Sequence, residues 1–407
     1  MKKGWKQVTL EDLIHIKHGY GFKGEFFVDE PSEYILVTPG NFAIGGGFKT
    51  NKLKYYDGEL KEEFILKGGD VIVTMTDLSK QADTLGFSAK VPDDGKTYLH
   101  NQRIGLVSLL SEDVTLDFIY WLLRTESYQK YVAGSSTGAT VKHTSPSKIY
   151  STKLSIPSCK IKQQKIADIL SAYDDLIENN TKRIELLEEQ SQLIYEEWFL
   201  RMKFPDHEHA AINSKTGLPE GWSYKQLNEI ADLIKTSIHP DSISSDTPYI
   251  GLEHIPRKSI TLSKWETSQK VDSLKYQYQK GDVLFGKIRP YFHKVGVALN
   301  SGVTSTDTIV LRAKSLLMQG LLLNVVFSNH FVDSATQSSN GTKMPRANWA
   351  VLKKYPVIVP SEEVIEQYDD IFKSIIKGLE TLVSQNVLLK EAQDILLPRL
   401  MLGIIEV

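Results

Sequence analysis

The sequence contains almost no cysteine and no long apolar run. Cys159 is the only cysteine among 407 residues, which excludes an internal disulfide and a zinc site built from several thiolates. We expect Cys159, next to the segment Ile156–Ser158, to be a buried structural thiol. No apolar run approaches the roughly 20 residues that span a bilayer, and no signal-peptide core follows the lysine-rich start. The expectation is a cytoplasmic protein without membrane association.

The sequence also lacks the short motifs of several enzyme classes. It contains no Asn/Asp-Pro-Pro-aromatic motif for adenine methylation, no GxxxxGK[ST] phosphate loop and no HExxH zinc motif. The ten histidines form no local cluster of metal ligands. His15 and His18 lie in a stretch that we interpret as an amphipathic helix, so structural roles are expected for both. The sequence therefore shows no motif of these enzyme classes and no local set of metal ligands.

The net charge of −2 conceals an alternation along the chain. Residues 1–160 carry 20 Lys and Arg against 19 Asp and Glu, and residues 204–360 carry 18 against 13. The segments between and after them are acidic, with 6 against 9 in 161–203 and 4 against 9 in 361–407. If the protein binds a polyanion, the two large blocks are the expected place.

The second half of the chain repeats the landmarks of the first half in the same order. Gly4-Trp5 corresponds to Gly221-Trp222, and "KGGDVIV" (67–73) corresponds to "QKGDVLF" (279–285). "GSSTGATVKH" (134–143) corresponds to "QSSNGTKMPR" (337–346), and "LSIPS" (154–158) to "VIVPS" (357–361). This order predicts a tandem repeat of one module. Its predicted parts are a domain at 1–160, a long helix at 161–203, a second domain at 204–361 and a second long helix at 362–407.

Each large block mixes short β-branched or aromatic runs with Gly, Asp, Asn and Pro turns, which predicts an α+β fold with a mainly antiparallel sheet. The clearest helix inside a block is 113–134, with Phe118, Trp121, Leu122 and Tyr128 on its apolar face.

The acidic segments carry apolar residues at alternating steps of four and three, which is the seam of a coiled coil. In the first segment the seam is Ile166, Leu170, Tyr173, Ile177, Asn180, Ile184, Leu187, Ser191, Ile194 and Trp198. In the second it is Tyr368, Phe372, Ile375, Leu379, Leu382, Asn386, Leu389, Gln393, Leu396 and Leu400. The alternative is a long helix packed against its own domain.

One asparagine near the middle of each seam indicates how the helices pair. An antiparallel arrangement with matched centres places Asn180 against Asn386, whereas a parallel one places each amide against leucine or isoleucine. A buried amide without a partner costs about 1–3 kcal/mol, and two amides can bond each other. The sequence therefore predicts an antiparallel coiled coil within one chain, giving a pseudo-two-fold molecule.

With these features the chain resembles the specificity subunit of type I restriction–modification systems. The resemblance rests on "LPEGW" (218–222), "GDVLFGKIRPYFHKV" (281–295), "NGTKMPRANW" (340–349), "TMTDLSK" (74–80) with "YLHNQRIG" (98–105), and the helix beginning "QQKIADIL" (163–170). It implies two target-recognition domains that read the halves of a split, asymmetric site in double-stranded DNA, and helices that set the gap. It also implies docking of two methyltransferase subunits and of restriction–translocase subunits, with S-adenosylmethionine and ATP/Mg bound by those partners. By the same resemblance, this chain is expected not to be an enzyme and to have no catalytic residue, metal or cofactor of its own, which agrees with the missing motifs.

Reading bases requires Arg, Lys, Asn or Gln on a rigid frame, with further cations for phosphates. In the second domain we expect an extended run near Pro290 that places one face of side chains on DNA, the alternative being a solvated strand face. The candidates there are Lys287, Arg289, Tyr291, His293 and Lys294, and a following loop adds Lys343, Arg346 and Asn348.

The first domain is less basic, so we expect its reading to depend more on polar groups. The candidates are Asp77, Lys80, Gln81, His100, Asn101, Gln102, Arg103, Thr140, Lys142 and His143. For Arg103 an internal salt bridge is the alternative.

Two other functions fit parts of the pattern. A metal-dependent nuclease could be built on Asp70 or Asp282, although turn formation explains both. A coiled-coil adaptor without DNA reading would leave the basic second block unexplained.

Overall fold

The computed structural model describes residues 3–50, 53–79, 81–339, 341 and 343–407. The chain forms two compact units, one of Met1–Leu176 with Leu388–Val407 and the other of Ile177–Val387. Each unit contains one large block and a part of each of two long helices. No helix in the described part of the chain is long and apolar enough to cross a membrane.

The strands of the first block are short, as expected from its frequent turn residues. They are β1 Trp5–Thr9, β2 Ile14–His18, β3 Phe27–Val28, β4 Tyr34–Val37, β5 Lys54–Tyr56, β6 Ile65–Leu66, β7 Val71–Thr74, β8 Thr76–Asp77, β9 Ser88–Lys90, β10 Thr97–His100, β11 Ile104–Leu109, β12 Lys142–His143 and β13 Lys153–Pro157. Its helices are α1 Leu116–Leu122, α2 Glu126–Gly134 and α3 Pro146–Tyr150. The long helix α4 follows at Lys160–Tyr195 and continues as a π-helical turn to Leu200.

The second block repeats this order of elements. Its strands are β14 Ser223–Gln226, β15 Ala231–Ile234, β16 Ser237–Ile238, β17 Pro248–Ile250, β18 Thr261–Leu262, β19 Glu266–Thr267, β20 Lys275–Tyr278, β21 Val283–Gly286, β22 Val295–Ala298, β23 Gly302–Ser305, β24 Thr308–Ala313 and β25 Pro356–Val359. Its helices are α5 Leu227–Ile230, α6 Gln319–Phe327, α7 Asn329–Gln337 and α8 Trp349–Leu352, followed by the second long helix, α9 Glu362–Met401.

Sheet topology confirms the tandem repeat. The order β2-β11-β7-β9 in the first block matches β15-β24-β21-β22 in the second, and β5-β4-β10-β6 matches β19-β17-β23-β20. The pairs β1–β13 and β14–β25 match as well. Most pairs are antiparallel, as predicted. The exceptions among the described strands are β4–β10 of the first block, its counterpart β17–β23 of the second, and β18–β22, which are parallel. The α+β prediction is confirmed.

The predicted coiled-coil seam is also confirmed, because every residue assigned to it is buried or half-buried. Within the second unit, Asn180 Nδ2 donates to Asn386 Oδ1 at 3.0 Å, and Leu187 contacts Gly378. Residue numbers rise along α4 as they fall along α9, so the two helices are antiparallel. The alternative of helices packed on their own domains is realised at the same time, because Ile166 of α4 belongs to the same apolar core as Trp121, and Tyr368 of α9 belongs to the same core as Trp222.

Three sequence expectations about local structure are wrong. The helix expected at 113–134 breaks at Thr125, which is extended and precedes α2. The stretch with His15 and His18 is strand β2, whose alternate residues Ile14 and Ile16 are buried against β11. Cys159 is exposed and lies in the short connection between β13 and α4.

Candidate nucleic-acid interface

The segment 287–294 in the second domain forms a tight turn, so the predicted extended run is wrong. Strand β21 ends at Gly286, and a 3-10 turn follows at Pro290–Phe292. Arg289 and His293, on either side of it, adopt left-handed backbone with φ of 50° and 51°. Proline fixes its own φ near −65° and lacks an N–H for a sheet ladder, so the chain reverses at Pro290.

This turn divides the predicted DNA-contacting side chains into inward and outward groups. His293 is buried, its Nε2 lies 2.6 Å from the Phe327 carbonyl oxygen, and burial lowers its pKa. Lys294 Nζ donates to the Leu252 carbonyl, and burial lowers the pKa of this amine as well. Tyr291 remains exposed, and Arg289 is half-buried. The polar groups of His293 and Lys294 are therefore engaged inside the domain, and the prediction that these two residues contact DNA is wrong.

An open groove of about 830 Å³ lies beside this turn. It is lined by Leu233, Lys235, Tyr276, Lys287, Thr306, Thr308, Ile309, Gly341, Met344, Arg346, Ala347, Asn348, Trp349, Ala350 and Lys353. Four of these described residues are cationic and none is acidic. A concave surface lined by one sign of charge concentrates field and attracts counter-ions, so this groove suits an anionic ligand.

The sequence predicted some of the residues of this groove and missed others. Lys287 and Arg346 were predicted and line it, with Arg346 Nε 3.6 Å from Asp307 Oδ1. Asn348 also lines it, but its Oδ1 accepts from the Ala350 amide at 3.0 Å and caps α8. Lys343 is exposed and does not line the groove. Lys235 and Lys353 were missed, because they come from separate elements and share no local pattern.

Another missed cation is Arg257, which lies beside the same turn. Its guanidinium carbon is 3.8 Å from the centre of the Phe292 ring. Arg289 approaches that ring at 5.8 Å, and its Nη2 lies 3.5 Å from the Lys343 carbonyl oxygen. Two arginines on one aromatic ring form an exposed cationic edge next to the groove.

In the first domain, Asp77 organises a loop. It is buried and accepts from the Ser79 amide at 2.6 Å and the Thr84 amide at 2.6 Å. Burial would raise the pKa of Asp77, but these hydrogen bonds outweigh it and hold the pKa below its usual value. Gln81 is exposed, and Lys80 lies outside the described residues. Asp77 is therefore unavailable to DNA, unlike the prediction.

The segment 100–103 contains two buried and two exposed side chains. His100 is buried, its Nε2 lies 2.9 Å from the Ile104 carbonyl oxygen, and burial lowers its pKa. Asn101 is also buried and accepts from the Arg103 amide at 3.0 Å. The side chains of Gln102 and Arg103 are exposed, and Arg103 forms no ion pair with any residue that the structure describes. The alternative of an internal salt bridge for Arg103 is wrong, and His100 and Asn101 leave the contact set.

The loop with Thr140, Lys142 and His143 corresponds to the loop with Arg346. Strands β12 and β8 pair His143 with Thr76, and Ile288 bridges to Arg346 at the equivalent place. The loop glycines, Gly138 and Gly341, both have φ of 99°, which disfavours any side chain there. Thr140 and His143 are exposed and Lys142 is half-buried, so all three stay predicted contacts.

Both carboxylates of the nuclease alternative are engaged in turns. Asp70 accepts from the Lys67 amide at 2.8 Å, and Asp282 accepts from the Gln279 amide at 2.7 Å. Asp282 also binds Arg312 through two hydrogen bonds of 2.7 and 2.8 Å. Within the described ranges no group of three or more His, Cys, Asp or Glu side chains could hold a metal ion.

The fold is a duplicated domain, and its second copy carries a cationic groove whose charge suits a polyanion. The profile of the type I restriction modification DNA specificity domain family matches residues 2–189 and 219–395. The chain belongs to this family.

Relatives and a solved structure agree with the family match. The chain is 23% identical over 314 residues to the type I restriction enzyme MjaIX specificity subunit of Methanocaldococcus jannaschii, covering 74% of this chain and 71% of that protein. It is 24% identical over 286 residues to the EcoDI specificity subunit of Escherichia coli, covering 64% and 63%. The crystal structure of an S subunit from M. genitalium matches 97% of this chain and 96% of that chain, with a TM-score of 0.59 at 16% identity. That likeness shows a shared fold.

Proposed function

We propose that this chain is the DNA-recognition subunit of a type I restriction–modification complex. Each domain reads one half of a split, asymmetric site in double-stranded DNA, and the antiparallel helices set the gap between the halves. Methylation and cleavage belong to partner subunits, which bind S-adenosylmethionine and ATP with Mg. Membership of the specificity family and the internal repeat support this assignment.

The observation that carries the proposal is the cationic groove of the second domain. Lys287 and Arg346 come from segments far apart in sequence, yet both line it with Lys235 and Lys353. Phosphate contacts supply most of the non-specific affinity for DNA, and arginine reads guanine edges with two hydrogen bonds. The partly exposed Arg346 and the neighbouring Arg289 suit base reading, and the three lysines suit phosphates.

The test compares single substitutions in the groove and at the neighbouring Arg289 for DNA binding by the copurified complex. We expect Lys287→Ala and Lys353→Ala to weaken binding to all duplexes and to reduce the slope of log K against log salt by about 1 each. We expect Arg346→Ala or Arg289→Ala to cost about 1–3 kcal/mol on the cognate site only.

Exposed Lys264, on the same domain but outside the groove lining, supplies the matched control, Lys264→Ala. Methylated sites in the host genome would first define the cognate duplex. Wild-type affinity and salt slope in the three groove variants and in Arg289→Ala would remove the groove and its neighbour from the proposal. A methylation pattern without a split consensus would remove the function itself.

Partner docking is supported by apolar side chains on the outer faces of the helices. Leu388, Ile395 and Leu402 are 64%, 52% and 61% exposed in the first unit. Leu186, Leu193 and Leu200 are 63%, 51% and 44% exposed in the second. Seven-residue spacing places Leu388 with Ile395 on α9, and Leu186 with Leu193 on α4, along one stripe outside the seam. Leu402 follows the end of α9, and Leu200 lies in the π-helical turn. Exposed apolar stripes of this kind are typical of protein contacts, which fits two methyltransferase subunits and, with them, restriction–translocase subunits.

A further inference from the structure

Strand register gives residues of the second domain's groove equivalents in the first domain. Ile104 and Thr308 begin equivalent strands, and each pairs with the last residue of the neighbouring strand, β7 or β21. Two residues earlier in each copy, Gln102 therefore corresponds to Thr306, which lines the groove. The exposed side chain of Gln102 therefore lies at the position that Thr306 holds in the groove lining of the second domain.

A second pair of equivalents is aromatic. In the second domain Tyr276, another groove residue, pairs with Thr304, four residues before Thr308. In the first domain the equivalent of Thr304 is His100, which lies four residues before Ile104. Ile65 pairs with Leu99, and the same register continued by one residue places Phe64 opposite His100. The ring centres of Phe64 and His100 are 6.4 Å apart, which agrees with this register.

Two cations of the groove, Lys287 and Lys353, correspond to uncharged residues in the first domain. Buried Met75 follows β7 where Lys287 follows β21. Tyr150 corresponds to Lys353, because each lies five residues after the N-cap of its helix, α3 or α8. The Tyr150 hydroxyl accepts from the Ile16 amide at 2.8 Å. Positive charge for DNA must therefore come from other residues in the first domain.

Such charge lies next to Phe64, on a pair of stacked rings. Tyr20 and Phe64 are stacked with centres 5.4 Å apart. Lys61 Nζ lies 4.1 Å from the centre of the Tyr20 ring, and Lys17 Nζ lies 4.9 Å from the centre of the Phe64 ring. Contact with an aromatic face attracts a cation and restricts its position, so both ammonium groups are held in place.

The base-reading candidates are tied to the same rings through the backbone. The Gln102 amide donates to the Tyr20 carbonyl at 2.9 Å, and the Tyr20 amide donates to the His100 carbonyl at 2.8 Å. Arg103 is exposed next to Gln102 and has no carboxylate partner among the residues described. The acidic contact of this surface is Glu63, whose Oε2 lies 3.9 Å from Lys17 Nζ, a loose and exposed pair.

We propose that the first domain reads DNA through this cluster, the Tyr20–Phe64 surface, which consists of Lys17, Tyr20, Lys61, Phe64, Gln102 and Arg103. Lys17 and Lys61 contact phosphates, the stacked rings position them, and Gln102 and Arg103 reach base edges, where they select adenine and guanine. The inference rests on the proposed function and adds to it the surface that reads one half of the site.

The experiment selects duplexes from a randomised pool with the full chain and its copurifying subunits, and then measures affinity against salt. Gln102→Ala and Arg103→Ala should change the selected bases in one half of the consensus and leave the other half intact. Arg103→Lys should keep most of the affinity and lose the base preference, because a lysine cannot form the two-pronged contact. Lys17→Ala with Lys61→Ala should keep the consensus and lower the salt slope by about 2.

The matched control is Lys96→Ala with Lys130→Ala, which removes the same charge from two exposed lysines of the same domain. This control should keep the wild-type slope. An unchanged consensus in both halves for the Gln102 and Arg103 variants, with a Lys17/Lys61 slope equal to the control, would overturn the Tyr20–Phe64 surface alone. If the wild-type complex selects no consensus, the proposed function fails as well.

Discussion

The two units join the domain to the long helices at equivalent places with different chemistry. In the first unit, Trp121 Nε1 on α1 donates to Ser171 Oγ on α4 at 3.0 Å. In the second unit, Asn324 Nδ2 on α6 donates to Ser191 Oγ on α4 at 3.2 Å. Trp121 and Asn324 each lie four residues before the cap of the following helix. The serine partners are not equivalent, because α4 is the helix that follows the first domain, whereas the helix that follows the second domain is α9.

The residues around these serines differ in charge. In the first unit, buried Arg124 donates to Asp174 Oδ2 at 2.6 Å, and Gln393 of α9 donates to Asp174 Oδ1 at 2.6 Å. In the second unit, Asn324 donates to the Tyr368 hydroxyl of α9 at 2.7 Å, and its Oδ1 accepts from Gln192. One junction is an ion pair extended by an amide, and the other is neutral. A tandem repeat can therefore keep its backbone frame while the polar groups that connect it diverge.

The largest effect should come from Arg124→Ala in the first unit. Removal of one partner of a buried ion pair costs about 3–5 kcal/mol. The lower end applies because the Asp174 carboxylate still accepts from Gln393 and its side chain is 33% exposed to water. Urea unfolding gives the cost, and faster hydrogen exchange in α1 and α2 locates it. Lys130→Ala at the exposed pair with Glu126 is the control, expected within about 1 kcal/mol of wild type. Equal costs for both variants would refute the charged junction.

A smaller effect is expected from Asn324→Leu in the second unit. The substitution leaves the Tyr368 hydroxyl and the Gln192 amide without a partner, which costs about 1–3 kcal/mol. Tyr368→Phe in the same chain removes one of those orphaned groups, so the double variant should be more stable than the sum of the two single costs predicts. The readout is again urea unfolding, with hydrogen exchange in α6. Strict additivity of the two costs would show that the Tyr368 hydroxyl and the Asn324 amide do not interact.

Much of the frame could be predicted from sequence because it depends on local periodicity. The seam from Ile166 to Trp198 repeats every three or four residues, so its burial follows from helix geometry. The antiparallel pairing followed from one amide on each helix. The DNA-facing residues depend on contacts between distant segments. Lys235 and Lys353 meet only after the sheet forms, and the turn at Pro290 hides His293, which the spacing alone had placed on an open face.

The smallest effect concerns Glu188, a carboxylate of α4 that faces the second domain and forms no ion pair with any described residue. It accepts from Ser259 Oγ and from the Thr261 amide, both at 2.8 Å. Burial raises the pKa of Glu188 more than these hydrogen bonds lower it. Between the ordinary glutamate pKa and the raised value, the folded state binds more protons than the unfolded state, so the free energy of unfolding falls as pH rises.

Glu188→Gln keeps an oxygen that can accept from both donors but no longer titrates. We expect this variant to match wild type below the ordinary glutamate pKa. It should become progressively more stable than wild type as pH rises through the window and keep a constant advantage above it. Urea unfolding from pH 4 to pH 8 measures this difference, with Glu189→Gln at the adjacent exposed position as control. A pH-independent difference would mean that Glu188 is as well solvated in the folded chain as in the unfolded one.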